Sequence, residues 1–216
     1  EQTVSRLLDR MPAFDEQELR AAFLSERLRW DHYPVDLPFL LPEGMIFPDT
    51  YQLDEATVAD ELDLVIRMHR QFLKVVDSLE LEVRAAELLL TPYEVVIVAS
   101  LIEEEAMLDD ERPKIARVIY NRLDRGWRLG IDATARYAVG KTSGEPLFTE
   151  DLEVDSLWNT RVFVGLPPTP IAAPGRASLE AALAPAAGDW LYYVRTDADD
   201  VAGAHTFTRT ADDFER

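Results

Sequence analysis

Apolar residues recur at steps of three and four between residues 54 and 125, which is the spacing of one face of an α-helix. The pattern predicts four helices in this stretch. The first has a single apolar stripe formed by Val58, Leu62, Val65, His69, Phe72 and Val76. Because His69 lies on this stripe, we interpret it as a buried histidine with satisfied ring nitrogens. A second helix, near residues 79–90, repeats the pattern more weakly, and the fourth covers residues 111–125.

The third predicted helix differs from the others because it is apolar on almost every side. It begins with Thr91-Pro92, a helix cap followed by a proline at the first helical position, and it runs to about Met107. Residues 95–102 leave no continuous polar face. A helix of this kind is buried by its neighbours on all sides.

Three glutamates, Glu103, Glu104 and Glu105, follow the apolar part of this helix. Successive helical residues point about 100° apart, so at least one of the three carboxylates should turn inward. Burial raises the pKa of a carboxylic acid, and an acid still protonated near neutral pH can protonate a glycosidic oxygen. Periodicity does not identify which glutamate is buried. A solvated acidic helix end that continues into Asp109-Asp110-Glu111 explains the same residues, and spacing alone favours this alternative.

Shorter elements precede and follow this helical part. Residues 4–10 and 16–28 predict two small helices, the second capped by Asp15. Residues 126–175 are rich in Gly, Pro, Thr and Asp, and an irregular segment this long is usually functional. A short helix at 177–184, strand-like runs at 190–195 and 205–209, and a helical start at Thr210 follow. The predicted fold class is therefore α+β, mainly helical with a small β-hairpin.

The composition excludes several classes of partner and site. The chain has 22 basic and 41 acidic residues, a formal net charge of −19, so its surface repels nucleic acid and anionic membranes. It has no cysteine, which excludes disulfides, thiolate catalysis and Cys-ligated zinc. The three histidines, His32, His69 and His205, match no metal-ligand spacing. We therefore expect neither a metal nor a cofactor.

Several segments, taken in order, resemble motifs of the endolytic murein transglycosylase family, the MltG-type or YceG-like proteins. The matching residues are Glu43-Gly44 with Phe47-Pro48-Asp49-Thr50-Tyr51, Ala99-Ser100-Leu101-Ile102-Glu103, Asn121-Arg122-Leu123, Leu129-Gly130-Ile131-Asp132-Ala133-Thr134, Trp158-Asn159-Thr160, the proline-rich segment 165–175, and the closing Leu191-Tyr192-Tyr193-Val194 and His205-Thr206-Phe207. Gly130, Ala133 and Trp158 stand where the family has Gln, Pro and Tyr. The likeness covers residues 40–209.

The resemblance implies an enzyme that cleaves the MurNAc–GlcNAc β-1,4 bond of peptidoglycan strands and so ends nascent strands. Glu103 would first protonate the glycosidic oxygen. It would then take the proton of the C6 hydroxyl, which closes a 1,6-anhydro ring on MurNAc without water. Glu43, Asp132, Thr134 and Asn159 are the candidate sugar-binding residues.

The resemblance also implies a domain organisation and a location. Residues 1–35 would be the C-terminal remnant of a LysM-like subdomain, and residues 36–216 the lytic transglycosylase catalytic domain. The catalytic domain would lie outside the cell membrane, held by a single membrane-spanning helix upstream of this chain. We expect that helix because residue 1 is a glutamate inside a helical pattern. Cell-wall synthases are candidate partners.

Two other functions are compatible with these residues. A peptidoglycan hydrolase would pair Glu103 with a second carboxylate, Glu43 or Asp132, and would add water to the cleaved bond. A non-catalytic glycan-binding or cell-division scaffold module would keep the groove and tolerate loss of Glu103. Mass spectrometry of digested peptidoglycan separates the two enzymes, because anhydro and hydrated ends differ by one water.

Overall fold

The structure is a computed structural model that describes residues 2–34, 43–51, 60–142, 144–196 and 202–214. These ranges contain ten α-helices, a short 3₁₀ helix and a two-stranded antiparallel sheet, which confirms the predicted fold class. The helices are α1 (Gln2–Arg10), α2 (Glu16–Phe23), α3 (Glu61–Ser78), α4 (Leu81–Glu87), α5 (Pro92–Glu105), α6 (Arg112–Asp124), α7 (Asp132–Ala138), α8 (Thr149–Leu152), α9 (Arg176–Leu183) and α10 (Ala211–Phe214). The strands are β1 (Tyr192–Arg195) and β2 (His205–Thr208), and the 3₁₀ helix, Asp109–Glu111, leads into α6.

Helix α5 lies at the centre of the main hydrophobic core. Its first turn is fixed by Thr91, whose hydroxyl accepts a hydrogen bond from the backbone N–H of Glu94 at 3.2 Å. The Glu94 carboxylate accepts one from the Thr91 N–H in return, at 2.8 Å. Every residue from 95 to 102 is buried, and α4, α6, α7 and α9 pack around the helix. The prediction of a helix buried on all sides is confirmed.

The two N-terminal helices pack on α3 and share a smaller core with it. This core consists of Val4, Leu19, Ala22, Leu28, Val65 and Ile66. Asp15 caps α2 as predicted, because its carboxylate accepts from the N–H groups of Gln17 and Glu18. The predicted domain boundary at residues 35 and 36 lies outside the described residues. The LysM-like origin of the N-terminal part stays a prediction.

His69 confirms the interpretation drawn from its position on the apolar stripe. The side chain is buried, and its Nδ1 lies 2.8 Å from the Met45 carbonyl oxygen. Its Nε2 lies 2.9 Å from the carbonyl oxygen of Arg29. This histidine therefore ties α3 both to the segment that follows α2 and to the segment that begins at Glu43.

The sequence prediction was wrong in two places. Helix α2 ends at Phe23, and the chain then turns so that Leu28 is buried instead of continuing the helix. The segment 126–175, predicted to be irregular, contains α7 and α8. These helices have seven and four residues, which is at most two turns and too short for an apolar period to appear.

The closing hairpin has the predicted antiparallel pairing, with Tyr193 opposite Phe207 and Arg195 opposite His205.

Among the described residues, no single helix has both the length and the apolar character needed to cross a membrane. Helices α4 and α5 pass that test only as a pair, and they meet at a bend of 88°.

Candidate active site

The proline-rich segment 165–175 covers one face of α5 and ends beside Glu103. Ser100 and Glu103 lie on this face because they are three positions apart in the helix. The Ile171 N–H donates a hydrogen bond to the Ser100 hydroxyl at 3.1 Å, and the Gly175 N–H donates one to Glu103 Oε2 at 3.0 Å. The segment therefore follows α5 in the same direction as far as the last turn of the helix.

Glu103 lies at the centre of a hydrogen-bond network that three elements supply. Besides Gly175, the Ser178 hydroxyl of α9 donates to Glu103 Oε2 at 2.7 Å. Arg112, at the start of α6, places its Nη1 3.4 Å from the same oxygen and 2.6 Å from the Ser178 hydroxyl. The Glu103 side chain keeps 30% of its surface exposed, so a ligand can reach it. The structure thus presents a fixed and accessible carboxyl group at the end of the core helix.

Glu105, two residues further along, is the glutamate that turns inward. The Tyr193 hydroxyl of β1 donates a hydrogen bond to its carboxylate at 2.9 Å. Burial raises the pKa of Glu105, and the hydrogen bond from Tyr193 lowers it in part. Glu104 is exposed. The expected inward carboxylate is therefore present, but it is not the glutamate that matches the family's catalytic position.

Glu43 lies beside the proline-rich segment and not in the Glu103 network. The Tyr137 hydroxyl of α7 donates a hydrogen bond to its carboxylate. The ring of Tyr137 lies 6.0 Å from that of Trp158, whose indole N–H donates to the Thr169 hydroxyl at 2.9 Å. Burial, followed by the charge of Glu43, raises the pKa of Tyr137. Trp158 therefore still anchors the segment although the family has a tyrosine there.

Gly44 brings the segment that begins at Glu43 against the proline-rich segment. A Cβ added to Gly44 would stand 2.6 Å from both Cβ and Cγ of Pro170. Pro170 is itself buried, so the two segments meet with no space between them. Two of the motifs that carry the resemblance are therefore in direct contact.

The other predicted sugar-binding residues fall into two groups. Asp132 is exposed at the start of α7, and Arg161 Nη1 donates a hydrogen bond to its carboxylate at 2.6 Å. Thr134 and Asn159, in contrast, are completely buried. Asp132 can reach a ligand in this structure, whereas the other two cannot.

The hydrogen bonds of the two buried residues explain what these residues do. The Thr134 hydroxyl donates to the Ile131 carbonyl at 2.6 Å and accepts from the Thr160 N–H at 3.1 Å. The Asn159 amide donates to the carbonyls of Leu152 and Val154, at 3.0 and 2.9 Å. Both side chains hold the loops around α7 and α8 in shape, so their burial argues against the predicted sugar contact.

The Asn-Arg-Leu motif also holds the fold together. Asn121 donates to the Trp190 carbonyl at 2.8 Å, just before β1. Arg122 donates to the carbonyls of Leu191 and Leu129, so it joins α6 to the hairpin and to the segment that contains Gly130. This motif therefore positions the elements around Glu103 without contacting it.

Sequence reasoning missed Ser178 and Arg112, the two side chains bonded to Glu103. Neither belongs to a motif that we recognised. The available signal was weak, because Arg112 is an arginine in the first turn of a predicted helix and Ser178 is a serine in a short one.

The described residues include no group of three or more His, Asp or Glu side chains that could hold a metal ion.

Comparison with known proteins identifies the family. The sequence matches the YceG-like family over residues 1–216. The chain is 38% identical to the endolytic murein transglycosylase of Bacillus subtilis strain 168 over 168 residues, which are 78% of this chain and 44% of that protein. It is 29% identical to the endolytic murein transglycosylase of Streptococcus pneumoniae strain D39 over 180 residues, which are 81% of this chain and 31% of that protein.

A solved structure agrees in fold. A YceG-like protein from Listeria monocytogenes superposes with a TM-score of 0.84 at 26% sequence identity, over 99% of this chain and 71% of that one. The chain spans less than half the length of either curated relative. The family match over all 216 residues and the shared motifs around α5 lead to one conclusion: this chain belongs to the YceG-like family.

Proposed function

We propose that this chain is the catalytic part of an endolytic peptidoglycan lytic transglycosylase in which Glu103 is both the acid and the base. The observation that carries the proposal is the place of Glu103. It ends the Ala-Ser-Leu-Ile-Glu motif, and backbone and side-chain donors from three elements hold it while its surface stays accessible. Two curated relatives bear the name endolytic murein transglycosylase, which supports this reaction class.

The reaction needs one carboxyl group that acts twice. The protonated carboxyl group of Glu103 gives its proton to the glycosidic oxygen while the bond from C1 of MurNAc to that oxygen breaks. The resulting carboxylate then takes the proton of the C6 hydroxyl of the same sugar, and the C6 oxygen bonds to C1. The proton lost in the first step is regained in the second. The product has a 1,6-anhydro end, and no water is consumed.

Two of the predicted sugar-binding residues have side chains suited to polar sugar contacts. Glu43 and Asp132 are the two predicted sugar-binding residues whose side chains are not completely buried. Each has a polar partner, Tyr137 for Glu43 and Arg161 for Asp132. Such pairs orient a carboxylate so that its remaining lone pairs can accept hydrogen bonds from sugar hydroxyls. We infer that both carboxylates accept hydrogen bonds from hydroxyl groups of the strand.

The proposal is tested by replacing Glu103 with glutamine in the full-length protein. The amide oxygen can keep the position of Oε2 against Gly175 and Ser178, so we expect the fold to survive. Proton donation and acceptance are both lost. General acid–base catalysis is worth about 10²–10⁴-fold, so release of 1,6-anhydro ends from purified glycan strands should fall by at least that factor. Circular dichroism verifies the fold of each variant.

The matched control is Glu104→Gln, which removes the same charge from the exposed neighbouring residue. We expect this variant to retain most of the activity. Products with hydrated ends would instead indicate a hydrolase with a second carboxylate. A folded Glu103→Gln variant that still cleaves strands at the wild-type rate contradicts the assignment. A wild-type protein that binds strands but cuts none indicates a scaffold module.

We further propose that the catalytic part works outside the cytoplasmic membrane and is held there by a helix upstream of this chain. The support is chemical, because the proposed substrate, peptidoglycan, lies on that side. Protease treatment of intact spheroplasts that make the full-length protein tests the orientation. Protection of the catalytic part from the protease would contradict it.

A further inference from the structure

The two oxygen atoms of the Glu103 carboxyl group have different surroundings. All three donors that contact this group, the Gly175 N–H, the Ser178 hydroxyl and Arg112 Nη1, reach Oε2. The described part of the chain places no hydrogen-bond donor on Oε1. One oxygen is therefore held by the protein, and the other is left for a ligand.

Ser178 is buried and forms hydrogen bonds with both Glu103 and the guanidinium group of Arg112. Its side chain is fully buried, in the first turn of α9. Arg112 Nη1 lies 2.6 Å from the Ser178 hydroxyl, and this hydroxyl lies 2.7 Å from Glu103 Oε2. A guanidinium group only donates, and a hydroxyl has one proton. The proton of Ser178 must therefore point to Glu103, and the direction from Arg112 through Ser178 to Glu103 is fixed.

Arg112 is itself held in place from its other side. Its Nε donates to Asp109 at 3.0 Å, and only 13% of the side chain is exposed. The direct distance of 3.4 Å from its Nη1 to Glu103 is long for a charge-assisted hydrogen bond, so the shorter route goes through the serine. The positive charge is thus placed behind the hydroxyl, where it strengthens the donation of that hydroxyl to a carboxylate.

We propose that Ser178, supported by Arg112, is a positioning residue that reserves Oε2 for the protein, so that Glu103 gives and takes its proton through Oε1. This inference rests on the proposed function of Glu103. A proton on Oε2 would point at three donors, whereas a proton on Oε1 leaves all three hydrogen bonds in place. In the first step the Oε1–H bond breaks as the glycosidic oxygen gains the proton. In the second step the C6 hydroxyl returns a proton to Oε1.

The hydrogen bonds that run from Arg112 through Ser178 to Glu103, called here the Ser178 relay, also stabilise the intermediate stage of the reaction. Between the two proton transfers Glu103 carries a full negative charge next to the developing positive charge on C1. Donors that are already oriented need no rearrangement when that charge appears. Loss of the Ser178 hydroxyl should therefore slow the reaction without preventing strands from binding.

The test is Ser178→Ala in the full-length protein, with anhydro-end release measured across pH. The change removes one oxygen from a buried site without adding volume. Losing a hydrogen bond to a charged group should lower kcat by about ten- to a hundredfold and leave KM nearly unchanged. The alkaline limb of the activity profile should move to higher pH, because the carboxylate loses a donor that stabilises it. Ser178→Thr, which keeps the hydroxyl, should restore part of both effects.

Ser100→Ala is the matched control. Ser100 is as buried as Ser178 and lies one turn before Glu103 in α5, but it contacts Ile97 and Ile171 instead of Glu103. It should leave the pH limb in place. Arg112→Gln tests the same relay from its other end and should move the limb in the same direction as Ser178→Ala.

A folded Ser178→Ala protein with the wild-type kcat and pH limb overturns the proposal. The failure of the proposed function would appear separately, as a Glu103→Gln variant that remains active. If Glu103→Gln is inactive while the Ser178 and Arg112 variants behave as wild type, only the relay is wrong.

Discussion

Replacing Gly44 with alanine should destabilise the protein in two separable ways. The backbone at Gly44 has φ = +80°, a conformation that costs an L-residue about 1–2 kcal/mol. The added Cβ would also stand 2.6 Å from two atoms of the Pro170 ring. That ring cannot rotate away, and inserting a methyl group into a packed site costs about 1–3 kcal/mol. The free energy of unfolding should therefore fall by about 2–5 kcal/mol.

Gly140→Ala is the control, because Gly140 has a similar φ of +71° but no atom within 4 Å of an added Cβ. It should lose only the backbone part, about 1–2 kcal/mol. For a chain of this length the difference corresponds to roughly 2–12 °C in melting temperature, measurable by circular dichroism. Urea unfolding should give the same order with unchanged m-values. Equal losses in the two variants would refute the claim that Gly44 and Pro170 are in tight contact.

Two further predictions concern buried titratable side chains. His69→Leu removes the imidazole that lies between the carbonyl oxygens of Met45 and Arg29, and it should cost about 1–3 kcal/mol in urea unfolding. His32→Leu, at a more exposed histidine, should cost less than about 0.5 kcal/mol, and similar losses in the two variants would contradict the role given to His69. Burial raises the pKa of Glu105 above its ordinary 4.5, so its contribution to stability is present below that pH and is lost as the pH rises above it. The free energy of unfolding of Glu105→Gln should therefore rise relative to that of the wild type between pH 5 and pH 8. A difference between the two proteins that does not change with pH would contradict the raised pKa of Glu105.

The helix that carries Glu103 could be predicted from sequence because its signals are local. Thr91, Pro92 and Glu94 fix its start, and the apolar run after them predicts burial on every side. Its choice as the proposed site of chemistry depended on motif order and not on periodicity. Periodicity alone could not choose among the three glutamates, and burial raises the pKa of both Glu104 and Glu105.

The partners of Glu103 could not be predicted for a different reason. Ser178 is 75 positions away from it along the chain, and α9 reaches α5 only after the segment 126–175 has crossed the core. No local pattern records such a pairing. Thr134 and Asn159 show the converse error, because polar side chains in a motif resemble ligand contacts until their own hydrogen bonds are known.

Glu103 belongs to the buried core helix α5. Asp132, in contrast, begins the short helix α7, and Glu43 lies in a segment outside the helices and strands. The proposed chemistry and the proposed strand binding are therefore assigned to parts of the chain that differ in how well they tolerate sequence changes. Loops accept insertions and exchanges that a packed helix does not. Under the proposed function, relatives can therefore diverge in the surface residues that contact the strand, while the proposed proton-transferring group, Glu103, stays at one fixed point. Selection on substrate preference and selection on chemical rate then act on different stretches of the gene.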